Sequence, residues 1–209
     1  MRIAREGFPL ILVAAVLTLL ALLAHWLFAA VVLGVVTLAF AGFFRDPERV
    51  IPTGEGLVVS PADGRIVSIA KVVDDPFFTQ AVTRISIFLS PLDVHINRVP
   101  VAGRIAEIKY RAGKFLAAYN NEASRQNEQN ALLIVDAQGR KLGAVQIAGV
   151  MARRIVCKVN SGDNMERGER FGLIMFGSRT DLYLPQGCRV EVTEGQRVKG
   201  GTTIMGKFI

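Results

Sequence analysis

The chain has 209 residues, with 25 Lys and Arg against 18 Asp and Glu and a formal charge of +7. Hydrophobic residues make up 51%, and mean hydropathy is +0.35, with the excess in the first 44 residues, so the length accommodates one soluble domain plus an apolar appendage. With no zinc-finger spacing and no basic run interleaved with aromatics, nucleic acid is not an expected partner, and the basic charge points to an anionic lipid bilayer.

Between Phe8 and Phe44 there is no Asp, Glu, Lys or Arg. The run predicts two helices, Leu10 to Ala24 and Leu27 to Phe44, with a break at His25-Trp26. Each is slightly short of the ~20 residues that span a bilayer core, so a hairpin crossing twice competes with a re-entrant one. A hairpin puts Arg2 and Arg5 on the same side as Arg45 and Arg49, which the positive-inside rule makes cytoplasmic. A cleaved signal peptide fits less well, because small residues such as Ala29-Ala30 lie inside the apolar run rather than after it. Arg45-Asp46-Pro47-Glu48-Arg49 ends the segment, giving expected units 1–48, membrane-associated, and 49–209, rich in β-structure.

Beyond this boundary come short β-runs broken by Gly, Pro and Asn. Leu57 to Ser60, a turn at Pro61-Ala62-Asp63-Gly64, and Arg65 to Ala70 read strand, turn, strand. Phe77-Phe78, after Asp74-Asp75-Pro76, offers either an apolar tip for lipid or ordinary packing. Arg84 to Leu89 alternates as a buried strand, Ser90-Pro91-Leu92-Asp93 breaks it, and Val94 to Val99 follows. Lys114 to Gln129 is polar and loop-like. Ala131 to Val135 and Leu142 to Val150 flank a hairpin turn, and Ile155 to Val159 is another strand.

An internal repeat follows. Val159, Gly162, Met165, Gly168 and Phe171 match Val192, Gly195, Val198, Gly201 and Ile204 at an offset of 33. Glycines at three-residue steps permit tight corners, and the apolar residues between them can share one core. The pattern resembles the hammerhead turn of lipoyl, biotinyl and sugar-phosphotransferase carrier domains. The expected fold is therefore mainly β: a pseudo-symmetric, barrel-sandwich-like antiparallel domain behind an N-terminal hydrophobic helical hairpin.

Two cysteines, Cys157 and Cys188, form no CxxC and are too few for a disulfide framework, so both read as reduced thiols. Two histidines, His25 and His95, are too few for a histidine metal site, and no metal is expected.

Four places carry chemistry: Asp63 in SPADGRI, His95 in SPLDVHINRVP, Asn127-Glu128 in RQNEQN, and Gly177-Ser178 in FGSRTDLYLP. Singly, each has an ordinary reading as a turn, a partly buried histidine, a solvated loop and another turn. Together and in this order, over residues 45 to 209, they resemble the phosphatidylserine decarboxylase family.

The resemblance implies a pyruvoyl-dependent carboxy-lyase made as a proenzyme, acting on phosphatidylserine at the cytoplasmic face of the cell membrane and releasing phosphatidylethanolamine and CO₂. Loss of CO₂ leaves electron density that no ordinary side chain can accept, so an organic carbonyl is needed. The resemblance implies that it is made from Ser178: the hydroxyl attacks Gly177, the chain splits into 1–177 and 178–209, and the new N-terminus becomes a pyruvoyl group that forms a Schiff base with the headgroup amine. The two chains are expected to stay together, with a dimer of that pair left open. Serine needs a base in reach, and the resemblance implies Asp63 and His95 as helpers. Longer family members have a second histidine three positions on, where this chain has Arg98. Arg98, Arg179 and Lys114 are candidate partners of the lipid phosphate, and Asn127 is a further candidate for substrate binding.

Two other readings stand beside this one. An ether lipid with the same serine headgroup would present identical chemistry. A non-catalytic, membrane-tethered barrel-sandwich adaptor of the carrier type would display a lysine at a hairpin tip, and no such motif is present.

Overall fold

The computed structural model describes residues 2–73, 78, 80–115, 126–149, 154–175 and 178–209. The chain divides into two compact units, Met1–Glu48 and Arg49–Ile209.

In the first unit, α1 (Phe8–Leu23) and α2 (Leu27–Phe43) form the expected hairpin, with Pro9 in the first turn of α1, where a missing N–H costs nothing. The chain reverses at His25, which takes a left-handed backbone with φ 59°. Thr18 and Thr37 face each other at 3.3 Å, and each donates its hydroxyl back to a carbonyl in its own helix. Strands β1 (Arg2–Ile3) and β2 (Arg45–Asp46) pair antiparallel and close the base. The stretch Arg5–Leu23 is 19 residues long with mean hydropathy 2.3, long and apolar enough to cross a membrane; Leu27–Phe43 is equally apolar in character but shorter.

The second unit is antiparallel β-structure. Its strands are β3 (Leu57–Val59), β4 (Gly64–Val72), β5 (Val82–Leu89), β6 (Ile96–Arg98), β7 (Gly103–Arg111), β8 (Gln129–Val135), β9 (Lys141–Ala148), β10 (Arg154–Cys157), β11 (Asn164–Met165), β12 (Arg170–Met175), β13 (Ser178–Leu184), β14 (Cys188–Val190), β15 (Arg197–Val198) and β16 (Ile204–Phe208). Eight of them form a curled sheet in the order β11-β7-β8-β9-β13-β5-β4-β15, and β10-β12-β6 and β14-β16-β3 form two smaller sheets.

That order is a palindrome about the β9–β13 pair, and the registers agree with it. Arg104 and Ile105 of β7 face Val135 and Ile134 of β8, with a bulge before Glu107. Arg65 and Ile66 of β4 face Phe88 and Ile87 of β5, with a bulge before Ser68. Leu142 of β9 faces Ile134, as Thr180 of β13 faces Ile87. The second unit thus contains two equivalent halves related by a pseudo-dyad.

The expected repeat forms the outer corners. Gly162, Gly168, Gly195 and Gly201 all have positive φ, between 78° and 102°, the conformation in which glycine alone carries no Cβ penalty. Gly162 and Gly195 donate to Ile105 and Ile66, while Gly168 and Gly201 donate to Val99 and Ser60. The offset of 33 then slips by one residue: Arg170 faces Arg98, whereas its counterpart opposite Val59 is Ile204. The match of Phe171 with Ile204 is corrected accordingly, and an extra residue in the second corner accounts for it.

Alternate residues of the central strands build the core. Ile85, Ile87 and Leu89, Leu132 and Ile134, Leu142 and Ala144, and Leu182 and Leu184 are all buried in one cluster. Val82, Ala131, Val145, Ile147 and Tyr183 form a second cluster on the other face. Phe78 is half-buried against that second cluster and stacks on Tyr183, so its ring is used in packing rather than as a free tip; Phe77 lies outside the described residues.

Candidate active site

β13 carries Ser178 as its first residue, in the middle of the eight-stranded sheet. Ser178 faces Leu89 on one side and Ala148 on the other. Two residues separate it from the end of β12, and the two strands belong to different sheets, so β12 and β13 are not paired with each other. Gly177 itself lies outside the described residues. Ser178 is 0% exposed, and its Oγ has no hydrogen-bond partner among the described residues. A buried hydroxyl without a partner is costly, and fold stability alone would select alanine here.

Side chains alternate along β13. Ser178 and Thr180 lie on the face of Leu182 and Leu184, and Arg179 and Asp181 on the face of Tyr183. On the latter face Arg179 donates Nε to Asp181 Oδ1 at 2.6 Å and an Nη to Oδ2 at 3.0 Å, with both residues fully buried. The same guanidinium donates to Ser86 Oγ at 2.6 Å, and Arg84 lies 3.9 Å from Asp181.

On the Ser178 face, polar groups replace the hydrocarbon core. Asn130 Nδ2 donates to Gln146 Oε1 at 3.1 Å, and Gln146 Nε2 donates to Asn97 Oδ1 at 2.9 Å. Asn97 Nδ2 donates to Thr180 Oγ1 at 3.1 Å. Thr180, Gln146 and Asn130 stand in register across β13, β9 and β8. Sequence reasoning did not single these residues out. The available signal was a polar side chain interrupting strands that are otherwise apolar, as in Ala144-Val145-Gln146-Ile147-Ala148.

β6 brings in the histidine. His95 precedes that strand and is 2% exposed, with Nδ1 3.0 Å from the carbonyl oxygen of Asp93. A carbonyl only accepts, so in the neutral ring Nδ1 carries the proton and Nε2 the lone pair. Ile174 of β12 donates its N–H to the His95 carbonyl, just before the chain passes to β13. Arg98, three positions on from His95, is 5% exposed and donates to the Gly168 carbonyl at 2.8 Å, inside a glycine corner.

Asp63 sits in the turn into β4. Its Oδ1 accepts the Gly200 N–H at 2.8 Å and its Oδ2 accepts from Arg49 at 2.7 Å. Burial raises its pKa above the ordinary 3.8, opposed by the Gly200 bond and the Arg49 charge, with Asp93 adding to the rise. The carboxyl therefore takes a proton more readily than a free aspartate. The turn before it repeats, for Pro61-Ala62-Asp63-Gly64-Arg65-Ile66 corresponds to Pro100-Val101-Ala102-Gly103-Arg104-Ile105.

Asn127 is fully buried and donates Nδ2 to the Ala148 carbonyl at 2.7 Å, on the residue opposite Ser178. Lys114 bridges to Asn127 through the backbone, is exposed, and places Nζ 3.1 Å from Gln126 Oε1. The structure thus brings Asn127 to the strand beside Ser178, puts Lys114 at the surface next to it, and places Arg98 and Arg179 in buried structural bonds.

Comparison with known proteins adds an independent line. Residues 36–206 match the family model described as phosphatidylserine decarboxylase. The chain is 44% identical over 209 residues to a phosphatidylserine decarboxylase proenzyme of Syntrophus aciditrophicus, covering 99% of this chain and 97% of the relative. It is 48% identical to the proenzyme of the same description from Nitratidesulfovibrio vulgaris, covering 97% and 93%, and 54% identical to that of Ruegeria pomeroyi, covering 78% and 76%.

Proposed function

The chain belongs to the phosphatidylserine decarboxylase family, and from that premise we propose that it cuts itself between Gly177 and Ser178 and then decarboxylates phosphatidylserine to phosphatidylethanolamine and CO₂. One observation carries the reading: the hydroxyl of Ser178, fully buried and without a partner among the described residues, at the head of the central strand.

In the cut, Oγ of Ser178 bonds to the carbonyl carbon of Gly177, the 177–178 C–N bond breaks, and the hydroxyl proton passes to the nitrogen. Removal of the Cα proton then breaks the Cβ–O bond, and Gly177 leaves as a carboxylate. The resulting enamine takes up water and releases ammonia, which leaves a keto group on the amide of Arg179. That covalent pyruvoyl group supplies a carbonyl able to capture the headgroup amine and to accept the electron pair left by CO₂.

The remaining roles fall to side chains. We assign Asp63 to proton transfer during the cut and His95 Nε2 to proton transfer at the reacting carbon. The Arg179–Asp181 pair holds the residue that carries the keto group. Asn127 fixes the neighbouring strand, and the exposed ammonium of Lys114 meets the lipid phosphate. The apolar hairpin, with arginines at both ends, supports attachment to the cytoplasmic face of the cell membrane.

The test is intact mass of the purified protein together with CO₂ release from phosphatidylserine vesicles. Chains 1–177 and 178–209 are expected, the smaller one blocked at its N-terminus, and Ser178→Ala should remain a single inactive chain. An active wild-type protein of full mass overturns the reading.

A further inference from the structure

The two halves of the second unit differ on the face that carries Ser178. Asn97 faces Gly172 in one small sheet, as Val58 faces Gly206 in the other. Thr180 faces Ile87 as Leu142 faces Ile134, and Gln146 faces Asn130 as Leu184 faces Thr83. The pseudo-dyad therefore matches Asn97, Thr180 and Gln146 with Val58, Leu142 and Leu184. All six are 0% exposed. In one half the fold fills these places with hydrocarbon; in the other it fills them with two amides and a hydroxyl bonded to one another.

Hydrocarbon at these places satisfies the architecture, as the apolar half demonstrates within the same molecule. Polar groups in a core contribute little net stability even when bonded, and well-packed apolar replacements are often neutral or stabilising. The amides accordingly need a reason other than stability.

Resting on the reading of Ser178 as the self-cleaving residue, we propose that Asn97, Gln146 and Thr180 are positioning residues that hold the Ser178 hydroxyl for attack on Gly177. Thr180 lies two residues from Ser178 on the same face of β13. Asn97 lies two residues from His95. The Asn97–Thr180 bond thus ties the segment bearing the histidine to the strand bearing the serine. The chain of bonds has a direction. Asn130 donates to Gln146, which orients Gln146 to donate to Asn97, which orients Asn97 to donate to Thr180. Gln146 Nε2 also reaches the Val156 carbonyl at 3.4 Å and Asn97 Nδ2 the Pro61 carbonyl at 3.5 Å, and since a carbonyl only accepts, these bonds fix the direction of the chain. Flipping Gln146 or Asn97 then sets donor against donor and flipping Asn130 sets acceptor against acceptor, so the two segments keep one spacing. None of the three touches the reacting atoms; they act through Ser178 and His95.

The triple variant Asn97→Val, Gln146→Leu, Thr180→Leu gives this half the residues of the other. It should fold, melt no lower than Ser178→Ala, and cut about 10²-fold more slowly than wild type, the scale of a misplaced reacting group. Thr180→Val should be slowed likewise, and Thr180→Ser, which keeps the acceptor, should cut near the wild-type rate. Hydroxylamine, which cleaves esters and spares amides, should release no 1–177 chain from the slowed variants, because the step lost is formation of the ester. The proposal is overturned by a triple variant that cuts normally, by one that fails to fold, by equal slowing in Thr180→Val and Thr180→Ser, or by hydroxylamine-sensitive precursor. A wild-type chain that never splits defeats the reading of Ser178 instead, so the two failures are distinguishable.

Discussion

Asp63 and Ala102 occupy the same place in the two halves of the β-domain, each one residue before the glycine that starts β4 or β7. The corners around them are otherwise alike, with Gly64 facing Val198 and Gly103 facing Met165. Ala102 shows that the turn forms without a carboxylate, so the half-buried acid at 63 is not required by the turn. Asp63→Ala should slow the cut by about 10²-fold or more, the usual share of a positioned proton carrier. It also strands Arg49, so folding must be monitored separately. Asp63→Asn keeps an acceptor for Gly200 and should slow the cut with a smaller loss of melting temperature. A normal time course of precursor mass in both variants removes Asp63 from the site.

The pH dependence follows from the same carboxyl. Its folded pKa lies above 3.8, so between 3.8 and that raised value the native state binds more protons than the unfolded chain. The stability it contributes is fully present below 3.8 and is lost as pH rises through the folded value. If Asp63 acts ionised, the cutting rate falls on the acid side at a pH above the ordinary aspartate range. Arg49 pulls that pKa down, so Arg49→Gln should move the acid limb to higher pH. An unmoved limb would assign it to another group.

The tautomer of His95 sets a third expectation. With Nδ1 donating to the Asp93 carbonyl, the lone pair of the neutral ring is on Nε2. His95→Ala should lower CO₂ release per cut enzyme by about 10²-fold. Wild-type rates of both cutting and turnover would exclude the histidine.

The β-runs, the hairpin at Asp136 to Arg140 and the glycine corners were legible in the sequence because they rest on local rules: alternation, turn residues and positive φ. Gly162 and Gly195 announce their corners by spacing alone. What stayed hidden depends on partners far along the chain. Gln146 and Asn97 are 49 residues apart, and nothing local says that their amides meet. Arg179 and Asp181 stand two residues apart in the sequence, but that the two charges meet on one buried face follows only once the stretch is a strand inside the sheet. The pseudo-dyad was half visible. The glycine repeat shows in the sequence, whereas the matching Gly-Arg-Ile starts of β4 and β7, which set Asp63 against Ala102, are too short a match to stand out before the sheet pairs them.

Arg179 and Asp181 make the fourth prediction. Breaking a fully buried pair leaves one charge uncompensated, at about 3–5 kcal/mol, whereas replacing both with apolar residues is often tolerated. On a Ser178→Ala background, which removes the effect of cutting, Asp181→Ala should lower the melting temperature steeply. Arg179→Met with Asp181→Leu should recover much of the loss. Equal melting of the single and double variants would mean that the pair is not coupled.

The last prediction concerns the chain released by the cut. Residues 178–209 contain β13, which pairs with β5 over seven residues and with β9 over six. They also contain β15, paired with β4, and β16, paired with β3. β13 carries Leu182 and Leu184 in the middle of the core, both 0% exposed. Dissociation would open the eight-stranded sheet at its centre and expose that core to water, at roughly 25 cal/mol for each Å² of apolar surface. The fragment is thus held by the contacts that fold the domain, and cutting the backbone removes none of them. The two chains should co-elute in detergent under native conditions and separate only where the β-domain unfolds. Release of 178–209 at denaturant concentrations that leave the β-sheet circular dichroism intact would contradict this register.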